Sequence, residues 1–152
     1  MRNILLATAV IALGSSSAMA AGSVNFNLKS SLGKVCTIAT AASDLTVGPL
    51  AATTADGAFD TTCNFELSDL TLTFTSANGG LYNTAEGVQV PYTVSFDGET
   101  VASADAVAGV SLVRASGAVA NAPIHRAFSV ALNSDITVAG DYADVLTVDV
   151  AP

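Results

Sequence analysis

The chain has 152 residues, 51% of them hydrophobic and only 12% charged, with a formal net charge of −8 and no tryptophan. Its five Lys and Arg residues are scattered and form no patch able to neutralise a run of phosphates, which argues against nucleic acid and anionic lipid as ligands. A sparsely charged acidic surface serves solubility instead.

The N-terminus reads as a secretion signal. Arg2 supplies a short positive region, Ile4 to Leu13 an apolar one, and Ala18-Met19-Ala20 a small-residue cleavage pattern. The apolar run is about half the ~20 residues of a membrane-spanning helix, so cleavage after Ala20 is expected. The mature chain would be residues 21–152, with a net charge near −9 once Arg2 is gone. That is one domain's worth of sequence.

"GSVNFNLKSSLGKVC" (22–36) follows. Val24, Phe26, Leu28 and Leu32 share one parity, and Asn25, Asn27, Lys29 and Ser31 the other, which reads as an amphipathic strand. Ser30 interrupts the apolar series. Cys36 ends this stretch and Cys63 follows 27 positions later. An even cysteine count behind a signal segment predicts a disulfide in an oxidising compartment. It would close a loop of about 28 residues, for roughly 3–4 kcal/mol on the chain-entropy estimate. A metal site is the weaker alternative, because His125 is the single histidine.

Downstream, alternation recurs between turn signals every eight to twelve residues, the pattern of an all-β sandwich or barrel. "DLTLTFTS" (69–76) sets Leu70, Leu72 and Phe74 against three threonines, and "VPYTVSFDG" (90–98) sets Val90, Tyr92, Val94 and Phe96 on one face. "AFSVALN" (127–133) and "DVLTVDV" (144–150) repeat the pattern with Phe128, Val130, Leu132 and then Leu146, Val148, Val150. "SANGGLYN" (76–83), "FDGET" (96–100) and "VAGDY" (138–142) are predicted turns. Residues 99–123 suit a loop with short strands better than a helix, since Gly and Val interrupt the alanines.

Catalytic constellations are not legible. His125 has no nucleophile motif beside it, and the carboxylate pairs Asp56/Asp60, Glu66/Asp69 and Asp141/Asp144 lie at turns and strand edges, which Asp favours for its backbone geometry. None has calcium-loop spacing. The residues therefore predict no enzyme, no metal, no cofactor and no small-molecule substrate.

The order of signal segment, alternating strand, cysteine pair and closing strand resembles the pilin subunits of chaperone–usher fimbriae, and more closely the spore coat protein U-like domain of archaic pili. The resemblance rests on "CTIATAASDLTVGPLAATTADGAFDTTC" (36–63), on "VPYTVSFDGE" (90–99), and most specifically on "AGDYADVLTVDV" (139–150). The chain lacks the mid-domain tryptophan segment and the penultimate tyrosine found in branches of that group.

What the resemblance implies is an immunoglobulin-like Greek-key sandwich that is incomplete and is completed by a donor strand from a neighbouring subunit. Residues 1–20 would be the signal peptide, 21–34 the donor-strand extension and 35–152 the incomplete pilin domain. Val24, Phe26, Leu28 and Leu32 would fill a neighbour's groove, while Leu146, Val148 and Val150 would border the chain's own groove and meet a chaperone. Implied partners are identical or related pilin subunits in a head-to-tail homopolymer, a periplasmic chaperone and an outer-membrane usher. The implied destination is a cell-surface fimbria reached through the periplasm. Two readings stand against this: a self-complete sandwich in which residues 23–35 form the first strand of their own core, such as a coat protein, and a secreted carbohydrate-binding module, for which Tyr82 is one of few candidate sugar platforms.

Overall fold

The computed structural model describes residues 27–40, 44–51 and 53–152; the expected signal segment, its cleavage site, Val24 and Phe26 lie outside the described residues. The chain divides into two units after Ser31, and the architecture below is that of the second, Leu32–Pro152.

Alternation builds the central strands. In β3 (Asp69–Ser76), Leu70, Leu72 and Phe74 are all but fully buried, and Ser76 continues their row into the interior. In β6 (Tyr92–Phe96), Tyr92, Val94 and Phe96 do the same. The expected single run over 90–98 is divided, because Pro91 separates β5 (Val88–Val90) from β6; a proline offers no N–H to a ladder. Asp97 and Gly98, at φ 50° and 81°, then make the two-residue turn into β7 (Glu99–Ala102). Positive φ at both turn positions gives the backbone twist that matches paired strands, which is why Asp-Gly marks this point in the sequence.

The other elements are β1 (Cys36–Thr40), β2 (Thr54–Cys63), β4 (Leu81–Asn83), the four-residue helix α1 (Ser103–Ala106), β8 (Val110–Ala115), β9 (Pro123–Leu132) and β10 (Leu146–Ala151). The helix corrects the expectation of loop and strands alone over 99–123: Ser103 and Ala106 are fully buried there, so tertiary packing overrides weak local preference. A second difference concerns residues 27–35, expected within one long strand. Asn27–Val35 hold no strand, and the first strand begins at Cys36.

Every ladder is antiparallel. One sheet has the order β1-β2-β9-β6-β7, the other β10-β3-β8, and β4 pairs with β5 in a separate hairpin. The Cys36–Cys63 disulfide joins register partners of β1 and β2. Phe59, Phe74 and Phe96 meet between the two large sheets, with centroids 6.0 Å apart for Phe59–Phe96 and 5.3 Å for Phe74–Phe96. The protein is an all-β, immunoglobulin-like sandwich. Strands β1, β2, β9 and β6 take the places of A, B, E and D, and β3 and β10 those of C and F.

Candidate functional site

Among the described residues, β10 has a ladder partner on one side only, β3. In an immunoglobulin-type sheet a last strand lies on the other side of that position. Across the sandwich, the ladder of β1 covers the edge of β2 only from Phe59 to Cys63, with Thr40 Oγ1 donating to Ala58 O just beyond it, which leaves Thr54–Gly57 without a ladder partner on that side among the described residues. Between these two edges lies a groove of about 800 Å³.

Sheet alternation determines what lines it. Phe59, Tyr92, Phe128 and Val130 come from the inner face of the five-stranded sheet, Leu146 and Val148 from β10, and Ile38 from β1. On β10, Leu146, Val148 and Val150 are half-buried, whereas their register partners Ser76, Phe74 and Leu72 are 2%, 0% and 0% exposed. Leu146 and Val148 line the groove itself, and Val150 packs against the core beside them. Gly57 shapes the floor: it is the register partner of Phe128, and a Cβ there would come within 2.4 Å of that ring. The charged residues lining the groove, Asp44, Asp56 and Asp144, are all acidic.

Asp144 ends the groove with a closed hydrogen-bond circuit. Its Oδ2 accepts from Ser76 Oγ at 2.5 Å and Tyr92 Oη at 2.8 Å, and its Oδ1 from the backbone of Asn78 at 2.9 Å and of Val145 at 2.8 Å. Ser76 Oγ accepts in turn from Gly79 N, Ser103 Oγ donates to Gly79 O, and Tyr92 N donates to Ser103 Oγ. Buried polar groups are tolerated when satisfied in this way. Burial pushes the Tyr92 hydroxyl pKa well above the usual tyrosine range; the Ser76 hydroxyl opposes the shift and the Asp144 carboxylate adds to it.

The circuit explains much of "AGDYADVLTVDV". Gly140 sits at φ 143° against the buried Asn83, whose Nδ2 would lie 2.3 Å from a Cβ at that position. Tyr142 Oη donates to Val138 O, closing the loop, and Ala143 bridges to Tyr82. Sequence reading noted the aspartate of this motif without a role, and took Tyr92 as core by its parity.

Elsewhere, Leu28 and Leu32 are 95% and 85% exposed. His125 lies in β9, with Nδ1 3.0 Å from Asp60 Oδ1 on the exposed face of the sheet. Asp56, by contrast, is brought to the groove.

No family model and no curated protein sequence matches the chain. Among solved structures, it is similar to a chain of a chaperone–tip adhesin complex of CFA/I fimbriae biogenesis, with 18% identity and a TM-score of 0.42. The likeness covers 77% of this chain and 41% of that one, so the present chain spans less than half the length of its counterpart.

Proposed function

We propose that the protein is a non-catalytic, structural pilin subunit, which polymerises by donor-strand exchange into an extracellular fimbria serving adhesion or biofilm formation. On this reading a periplasmic chaperone fills the groove first, and an outer-membrane usher exchanges it for the arm of the next subunit. The observation that carries the reading is the apolar groove between β1–β2 and the one-sided strand β10. A strand entering it would hydrogen-bond to the free edge of β10 and place alternate side chains among Phe59, Phe128, Leu146 and Val148.

The occupant we assign is residues 21–32 of a second copy. That segment contains Lys29 and no acidic residue, in a chain whose net charge is −8, and the charged groups lining the groove are carboxylates. Opposite charges of this kind steer encounter and disfavour wrong partners. Val24, Phe26, Leu28 and Leu32, at ~1.5–3 kcal/mol each on full burial, supply on the order of 6–12 kcal/mol gross before ordering costs. Because the arm and the groove are different surfaces, the contact is heterologous and propagates as a filament.

Deleting residues 21–32 tests this directly by electron microscopy of cells expressing the truncated chain. Loss of fibres with a folded, chaperone-bound subunit is the expected result. Normal fibres would refute the donor role, and a subunit that fails to fold even with its chaperone would assign the segment to its own core.

A further inference from the structure

The start of β1 is tied down by one side chain. Asn64, the residue after Cys63, donates from Nδ2 to Gly33 O at 2.8 Å and accepts at Oδ1 from Val35 N at 2.8 Å. Its backbone N–H donates to Val35 O at 3.0 Å. Val35 and Asn64 are the pair that would continue the Cys36–Cys63 register, so the asparagine carboxamide extends the β1–β2 ladder one step past its end. Lys34 adds to the attachment: its Nζ donates to Ser68 Oγ at 3.1 Å and stands 4.8 Å from the centre of the Phe65 ring. Residues 33–36 are thus fixed to residues 63–68, and Leu32, next to them, is 85% exposed. Gly33 marks the change: a Cβ there would meet nothing within 4 Å, so its place is not set by crowding.

We infer that Asn64 is a positioning residue for the arm, fixing the direction in which residues 21–32 leave the domain. The inference rests on the donor-strand reading above. A carboxamide suits the task because it offers a donor and an acceptor together, and here each faces the opposite main-chain group. Without it, the backbone bond from Asn64 N to Val35 O remains, so the first fixed point of the main chain retreats from Gly33 to Val35, with only the flexible Lys34 side chain holding the residue before it. That frees two residues, roughly 7 Å of extended chain at about 3.3 Å per residue. A joint lengthened by that much lets neighbouring subunits bend relative to one another, while the groove that receives the arm is untouched.

The experiment compares the mature chain, residues 21–152, with Asn64→Ala and Asn64→Asp. Two quantities are read: uptake of a fluorescent peptide of residues 21–35, and the persistence length of fibres in negative-stain images. Expected are peptide affinities within two-fold of one another, and a persistence length at least two-fold shorter for Asn64→Ala. Asn64→Asp keeps the bond from Val35 N and loses the one to Gly33 O, so it should fall between, and it decides the matter if the alanine variant does not fold. Amide exchange at Val35 should be faster in Asn64→Ala, which loses the acceptor for that N–H, than in Asn64→Asp, which keeps it. Normal peptide uptake with unchanged bending overturns the role of Asn64 alone. A wild-type chain that takes up no peptide overturns the donor-strand reading, and the arm-positioning role with it.

Discussion

Where β8 borders the sandwich, Arg114 reaches from the three-stranded sheet toward the turn and strand of the other, its Nε 2.9 Å from Asp97 Oδ2 and its Nη1 3.2 Å from Glu99 Oε1. Its guanidinium lies 5.3 Å from the centre of the Phe96 ring. Arg126 crosses in the opposite direction, from β9 to Ala115 O, with its Nε donating to Thr61 Oγ1. Where β10 and β1 border the sandwich, there is a groove instead. Both edges expose half-buried apolar rows, since Val110 and Leu112 on β8 are no better covered than Leu146 and Val148. The difference is in the long cationic side chains, which sit at one edge and, among the described residues, are lacking from the lining of the other. Charge at an edge is a common defence against unwanted pairing. Its placement at β8 supports the proposed reading, in which β10 is the edge left for another strand.

The comparison can be broken or sharpened by mutation. The largest effect is expected for Cys36→Ala with Cys63→Ala, because among the described residues β1 has β2 alone as a ladder partner. Loop-closure entropy predicts a loss of about 3–4 kcal/mol in denaturant unfolding. Arg114→Ala should cost about 2 kcal/mol, chiefly through lost packing on Phe96, since its carboxylate partners are half-exposed or more and contribute little. It should leave uptake of the 21–35 peptide unchanged.

Leu146→Ala should behave in the reverse manner. Its side chain is half-buried in the free chain, so unfolding should register only about 1 kcal/mol, whereas peptide affinity should fall about tenfold as the covered surface is lost. Equal effects of the two substitutions on peptide uptake would remove the distinction between the edges.

The smallest expected effect is that of Tyr92→Phe, about 1 kcal/mol near neutral pH for one hydrogen bond. Its pH dependence is more telling. Tyr92 holds its proton more tightly folded than unfolded, so its contribution is complete below the ordinary tyrosine pKa of about 10 and is lost as pH rises toward the higher folded value. The wild-type chain should lose stability above about pH 10, and Tyr92→Phe should lose less; melting temperatures across that range provide the check.

Local pattern carried much of the sandwich into the sequence. β3 occupies the predicted 69–76, and β9 and β10 contain or nearly coincide with the predicted alternating runs. The cysteine pair is bonded as its even count implied. The groove was not readable from the residues alone, because it is made by which strand edges lack a neighbour, and pairing joins segments far apart in the chain. Tyr92 and Asp144 are 52 residues apart and read as core and turn until the fold brings them together. Likewise Arg114 and Arg126, read as dispersed, meet at one edge only because β8 and β9 belong to facing sheets. Asn64 carried no signal at all; an asparagine after a strand is ordinarily a turn residue.

The Asp144 circuit also acts as a registration pin for the C-terminal strand. Side chains along a strand alternate with a period of two, so a slip of β10 by one residue would exchange Leu146, Val148 and Val150 for Thr147, Asp149 and Ala151 on the inner face. A six-residue strand paired on one side has little else to prevent this. With Asp144 gripped by Ser76, Tyr92 and two backbone amides just before the strand begins, every copy of the protein presents the same apolar row, with the same spacing, along that edge.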